Sequence, residues 1–224
     1  MPRPTIPDRR NAVLDRARDL FLEKGYDRTT MAEIARRAGV GKGAVYLEFP
    51  SKEALLDALL VRSTRSLTRE VRALVAAHGG PVPVSAAWRF GVEALLHDEF
   101  MLACYLAEAD VLGGYLRRKG PRRYGPRLDW LVDFITESQQ AGVVRADLDP
   151  RAAATVMSVF AVGLASTAPV MGPLSRDRLR ESVDLFADLV AAGWETSAPD
   201  GREAARQAHA RLLDRLDSAI GRPE

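Results

Sequence analysis

The sequence predicts an all-α protein, with an N-terminal three-helix helix-turn-helix head followed by a larger helical domain. Three observations carry this. Apolar residues recur at three- and four-residue spacing, no stretch alternates in the two-residue period of a strand, and glycine- or proline-rich breakers separate the periodic segments. At 224 residues, 47% of them apolar and 28% charged, the chain can bury a sizeable core.

The elements follow in order. Asp8 is placed to cap a first helix whose apolar face is Val13, Ala17, Leu20 and Phe21, ending at Gly25. "TMAE", Thr30 to Glu33, has the form of a capping box and starts a second helix on Met31, Ile34, Ala35 and Ala38, which stops at Gly39. A third, short helix carries "KGAVYLEF", with Val40, Val45 and Phe49 packing the three helices together. Pro50 ends it, because the residue before a proline is pushed out of helical geometry. Ser51 caps a long fourth helix running to Gly79-Gly80-Pro81. Further helices are expected over about 84–97, 99–112, 122–141, 150–168, 176–195 and 202–219.

"AGVGKGAVYLEF", residues 38 to 49, sets three glycines around a lysine, a composition suited to holding phosphate. The nucleotide loop G-x-x-x-x-G-K-[ST] does not fit, since Arg36 stands where its first glycine belongs and Gly43 follows Lys42. Gly39, Gly41 and Ala44 satisfy G-x-G-x-x-[GA], but a dinucleotide loop follows a strand, and here a helix precedes it. The glycines therefore join two helices over residues 30–49, and the second can lie in a DNA major groove. Gly41 and Gly43 permit close backbone approach to a phosphate, and Lys42, Tyr46 and Lys52 add donors. Charge agrees: residues 1–52 hold eleven basic against seven acidic side chains, the remainder twenty-one against twenty-three.

Residues 7 to 67, and most sharply "TTMAEIARRAGVGKGAVYLEFPSKEALL", resemble the DNA-binding domain of the TetR family of transcriptional regulators. The resemblance implies that Thr30, Lys42, Gly43, Tyr46 and Lys52 occupy phosphate-contacting or backbone-approach positions. It implies too that Ala44, Leu47 and the region of Arg36 face bases or the groove wall. Two positions depart from the family pattern. Gly41 replaces a capping serine or threonine, a change worth a few tenths of a kcal/mol. Glu48 stands where phosphate donors are common, and it either repels phosphate, accepts from a cytosine N4 group, or lies solvated beside Lys52.

For residues 68 to 224 the resemblance implies a regulatory domain, a homodimer closed by late helices, and a small-molecule effector of unspecified identity. The partner is double-stranded operator DNA, partly palindromic, and a repressor is the expected regulator. Ala153, Val156, Phe160, Gly163 and Leu164, with Leu179, Val183, Phe186 and Leu189, are expected to supply a four-helix seam between subunits. Trp88, Phe100, Met101, Tyr105, Trp130, Phe134 and Met157 either line an effector pocket or fill an ordinary core. The helix at 202–219 lies past the expected pair, with no role implied.

Other classes find little support. His78, His97 and His209 are far apart, and "HDE", residues 97 to 99, reads as a solvated helix end because consecutive helical residues point different ways. Cys104, the only cysteine, excludes an internal disulfide and reads as a buried inert thiol. No catalytic constellation, metal site or cofactor motif is present, so a non-enzyme is expected. The alternative is a helical protein-binding adaptor without affinity for duplex DNA. The N-terminus lacks the apolar run of a secretion signal, which fits a cytoplasmic protein. Residues 152 to 175 are uncharged and long enough to span a bilayer, but Pro169, Gly172 and missing aromatic or lysine anchors favour a helix buried in a core or subunit interface.

Overall fold

The structure, a computed structural model, describes residues 8–79, 82–106, 125–165, 167, 171–172, 174–196 and 201–220. Among them are ten helices: α1 (Arg9–Lys24), α2 (Met31–Arg37), α3 (Lys42–Glu48), α4 (Lys52–Ala77), α5 (Val84–His97), α6 (Glu99–Tyr105), α7 (Gly125–Gln140), α8 (Pro150–Ala165), α9 (Arg176–Trp194) and α10 (Arg202–Ile220). The only β-type pairing among the described residues is an isolated bridge between Val144 and Glu195. The all-α expectation therefore holds. The helix expected over 99–112 ends earlier, at Tyr105, where the Leu106 amide caps it by donating to the Leu102 carbonyl; residues 107–112, and the start of the helix expected over 122–141, lie outside the described residues.

The head closes because its four helices each turn one apolar stripe inward. Val13, Leu14, Ala17, Leu20 and Phe21 of α1 meet Met31, Ile34 and Ala35 of α2, Val45 of α3, Phe49, and Leu55, Leu56, Leu59 and Leu60 of α4. Phe21, Val45, Leu55 and Leu59 are completely buried. Local chemistry fixes the helix ends. Ser51 caps α4 by accepting from the Ala54 amide at 3.0 Å, and Asp8 caps α1 through the Asn11 amide.

α6 joins the head to the rest. Phe100, expected among the effector-pocket residues, is completely buried in the head core beside Ala103. The reason is tertiary, because α6 folds back onto α1 and α4. The "HDE" segment is likewise more than a solvated end. Asp98 caps α6 through the Met101 amide at 3.0 Å, and His97 is bonded to Glu70 of α4, which raises its pKa above the ordinary imidazole value. Cys104 is partly buried against the head core, and burial pushes its thiol pKa up, so the thiol stays protonated.

α4 spans about 39 Å at 1.5 Å per residue. Its first half sits in the head core and its second half against α5 and α10. In the C-terminal domain, α7, α8, α9 and α10 enclose Phe134, Ile135, Ala153, Met157, Val190, Ala205 and Ala208. A neighbouring cluster gathers Val92, Leu95, Leu102, Leu164, Leu179 and Val183. Trp88 packs against both, edge-on to Phe160 and Phe186, whose rings stack at 3.9 Å. No helix among the described residues is long and apolar enough to cross a membrane.

Phe49→Ala should destabilise the protein by about 3–5 kcal/mol in denaturant unfolding, through lost transfer energy and the cavity left behind. Leu47→Ala, two residues away on the solvent side, should stay within about 0.5 kcal/mol of the parent.

Candidate nucleic-acid interface

The interface is assembled from α2, its turn and α3. The capping box expected at Thr30 is complete. The Thr30 side chain accepts from the Glu33 amide at 3.3 Å, while the Glu33 carboxylate accepts from the Thr30 amide at 2.9 Å and from the Thr30 hydroxyl at 2.8 Å. Lys24 adds an ion pair to Glu33. These bonds, the Lys24 contact first, hold the Glu33 carboxyl at about pKa 2, below its ordinary 4.5.

The turn is closed by two backbone bonds, Val40 N–H to Ala35 C=O at 3.0 Å and Gly39 N–H to Arg36 C=O at 3.2 Å. This is the Schellman pattern, and it requires Gly39 in the left-handed region, where its φ is +68°. α3 then starts at Gly41 with no side-chain cap.

α3 divides cleanly. Val45 is fully buried and Phe49, just past its end, is 1% exposed, whereas Tyr46 is 44% and Leu47 83% exposed. Lys42 and Gly43 are also exposed and Ala44 half-buried. A Cβ at Gly43 would meet nothing within 4 Å, so the chain's own packing does not demand glycine there. Lys42 Nζ lies 5.8 Å from the centre of the Tyr46 ring. Thus Lys42, Gly43, Tyr46 and Leu47 share one open surface. Arg36 is exposed on α2 and, among the described residues, makes no ion pair, unlike Arg37, which is bound to Glu23.

Lys52 has a different position from the one expected. Its ammonium donates to the carbonyls of Tyr26 at 2.7 Å, Thr29 at 2.8 Å and Asp27 at 3.3 Å, and lies 4.3 Å from the Tyr26 ring centre. Three carbonyls match the three protons of an ammonium, so Lys52 closes the α1–α2 turn from within.

Glu48 does not lie solvated beside Lys52. It accepts from Arg9 of α1, at 2.7 Å from Nη2 and 3.1 Å from Nε, and Arg10 donates to its carbonyl at 3.1 Å. Arg10 also lies over the Phe49 ring at 4.4 Å. This carboxylate therefore ties the end of α3 to the start of α1 and holds two arginines at the C-terminal end of α3. The Arg9-Arg10 pair was visible in the sequence as basic residues, but its neighbour 38 to 39 positions away was not.

The seven expected pocket residues do not form one group. Trp88, Phe134 and Met157 meet in one C-terminal cluster, and Trp88, Met101 and Tyr105 in the next. Trp130 is half-buried outside both clusters, and Phe100 belongs to the head. Tyr105 donates to the Ala161 carbonyl at 3.0 Å. The Trp88 indole N–H is buried and has no acceptor among the described residues.

A helical head with an exposed glycine-led second helix, mounted on a helical domain, defines a helix-turn-helix regulator. A family model described as "Bacterial regulatory proteins, tetR family" matches residues 13–59. The HTH-type transcriptional repressor KstR2 of Mycobacterium tuberculosis is 30% identical over 147 residues, covering 64% of this chain and 73% of that protein. The A-factor receptor protein of Streptomyces griseus is 29% identical over 155 residues, 68% of this chain, and the match spans about half (52%) of the receptor's own length. In fold, the chain superposes on the SmeT–triclosan complex with a TM-score of 0.61 at 23% identity, over 86% of this chain and 94% of that one. The chain belongs to the TetR family of DNA-binding transcriptional regulators.

Two measurements check this geometry. Lys52→Met keeps the aliphatic stem but strands three carbonyls, and should lower unfolding stability by about 1–3 kcal/mol. The pKa of Glu33 is depressed in the folded state, so its stabilisation is complete above pH 4.5 and is lost as pH falls toward 2. In acid titrations followed by circular dichroism, the difference between the parent and Glu33→Gln should shrink across that window.

Proposed function

We propose that this chain is a homodimeric repressor that binds a partly palindromic operator and is released from it by a small-molecule effector held in the C-terminal domain. The observation carrying the DNA part is the division of α3, with Val45 and Phe49 locked inside while Lys42, Gly43, Tyr46 and Leu47 remain open. Lys42 and Tyr46 supply a cation and a phenol hydroxyl for phosphates, Arg36 lies on the adjoining helix, and Gly43 lets the duplex approach the backbone. Thr30 keeps a positioning role through its capping box. Arg9 and Arg10, held by Glu48, add positive charge beside α3, and Lys52 acts by fixing the turn.

The dimer reading rests on a second exposed surface. Of the residues expected at the seam, Ala153, Leu164, Leu179 and Val183 are buried within the chain, and Phe160 stacks on Phe186. Val156, Gly163 and Leu189 remain exposed and are joined by Val159, Val162 and Leu185. α8 and α9 each carry two apolar faces, one used internally. A second copy of the chain covering the other faces would place two recognition helices about 34 Å apart, or at a multiple of that spacing, on successive major grooves.

Effector control is supported by the buried Trp88 N–H, which has no acceptor among the described residues and suits a ligand carrying a hydrogen-bond acceptor among aromatic rings. One relative is named a receptor, and one structural neighbour holds triclosan. The lever is α4, which is continuous from the head core to α5 and α10. A ligand with higher affinity for a dimer of different head spacing would shift the population away from the operator-competent form.

Selection of genomic fragments by the protein, followed by footprinting at two salt concentrations, tests the proposal directly. Two protected half-sites with affinity falling steeply with salt support it; failure to enrich any duplex moves the protein-binding adaptor to the front. Lys42→Ala and Tyr46→Ala should weaken binding on all sequences, and Lys42→Ala should reduce the salt slope by about one unit per subunit. Val159→Asp combined with Leu189→Asp should yield monomers in sedimentation velocity while the circular dichroism spectrum stays helical.

A further inference from the structure

Building on the operator-binding reading above, we infer that Leu47 reads the 5-methyl group of a thymine, so that α3 specifies its half-site through apolar contact rather than a hydrogen-bonded purine edge. Leu47 is 83% exposed, the most exposed large apolar side chain among the described residues. Its place on the helix is informative. At about 100° per residue, Leu47 and Gly43, one turn apart, form the ridge facing away from the buried Val45, with Lys42 and Tyr46 on one flank. Gly43 has no side chain, and a Cβ there would meet nothing of the protein. The ridge therefore presents bare backbone and then a single projecting isobutyl group to whatever enters from outside.

The other side chains of α3 narrow the chemistry. Lys42–Glu48 contains no Arg, Asn or Gln, and its one candidate donor to a guanine edge, Lys42, lies off the ridge that Gly43 and Leu47 form. Glu48, the one side chain suited to accept from a cytosine N4 group, is bound to Arg9 at 2.7 Å. Lys42 shares its flank with Tyr46, whose ring centre lies 5.8 Å from the ammonium, and not the ridge itself. What remains at the middle of the face is hydrocarbon, and among base edges in the major groove the thymine methyl is its apolar counterpart.

The test uses the full-length protein and its selected operator, with each thymine replaced singly by deoxyuridine, which removes only the methyl group. At one thymine per half-site the parent should lose about fourfold in affinity, the worth of one methyl group taken from water. Leu47→Ala should bind the methylated and unmethylated duplexes equally, while Leu47→Met, which keeps an apolar reach, should retain the sensitivity. An unchanged melting temperature shows that the exposed substitution leaves the fold intact. Tight operator binding without any uracil-sensitive position, or equal sensitivity in the parent and Leu47→Ala, overturns the methyl contact and leaves the regulator reading standing. Absence of duplex binding by the parent removes both.

Discussion

The burial of Val45 and Phe49 against the head core is the constraint on which the interface depends. A seven-residue helix without a side-chain cap is too short to persist alone, because nucleation costs more than so few hydrogen bonds return. Its stability is borrowed from α1, α2 and α4, whose apolar residues close around Val45. Once that side chain is inside, helical geometry fixes which residues point out, and Lys42, Gly43, Tyr46 and Leu47 become a surface. Hydrophobic packing thus orients the polar and apolar groups that would meet a duplex.

Charged side chains then determine what that surface can offer. Each of Lys24, Lys52, Arg37 and Arg9 is basic and close to the helix-turn-helix in the sequence or the fold, yet each is engaged inside the protein: by Glu33, by three backbone carbonyls, by Glu23 and by Glu48. Exposed ion pairs of this kind contribute little to stability singly. Their greater effect is selective, because a cation already holding a partner inside the protein is held in one orientation. The contrast between Arg36 and Arg37, neighbours on α2, is an example.

The two halves of the molecule are linked by α4 and α6 rather than by a flexible connection. α4 runs unbroken out of the head, and α6 returns Phe100 and Ala103 into the head core. α10 grips α4 through Arg72 with Asp214 and Asp217, and through Thr68 with Asp217. It also pairs with α7 through Arg211–Glu137 and Arg215–Asp133. The C-terminal helix for which the sequence implied no role is therefore a brace between α4 and the C-terminal core.

The sequence by itself determined the helices of the head and their ends. Periodicity, the capping box at Thr30, the left-handed Gly39, Pro50 and Ser51 are local signals, and local chemistry is enough to place a helix and stop it. It also determined which face of α3 carries Lys42 and Tyr46, since that follows from helical spacing once Val45 is taken as the inward residue. Only the tertiary structure decided the partners of Lys52 and Glu48, the move of Phe100 into the head, and which apolar faces of α8 and α9 are used internally. Each of those is a choice between neighbours far apart along the chain. A helix apolar on two sides, or a charge with several partners of opposite sign, carries no local mark of which neighbour it will meet, because that is settled by the packing of the whole.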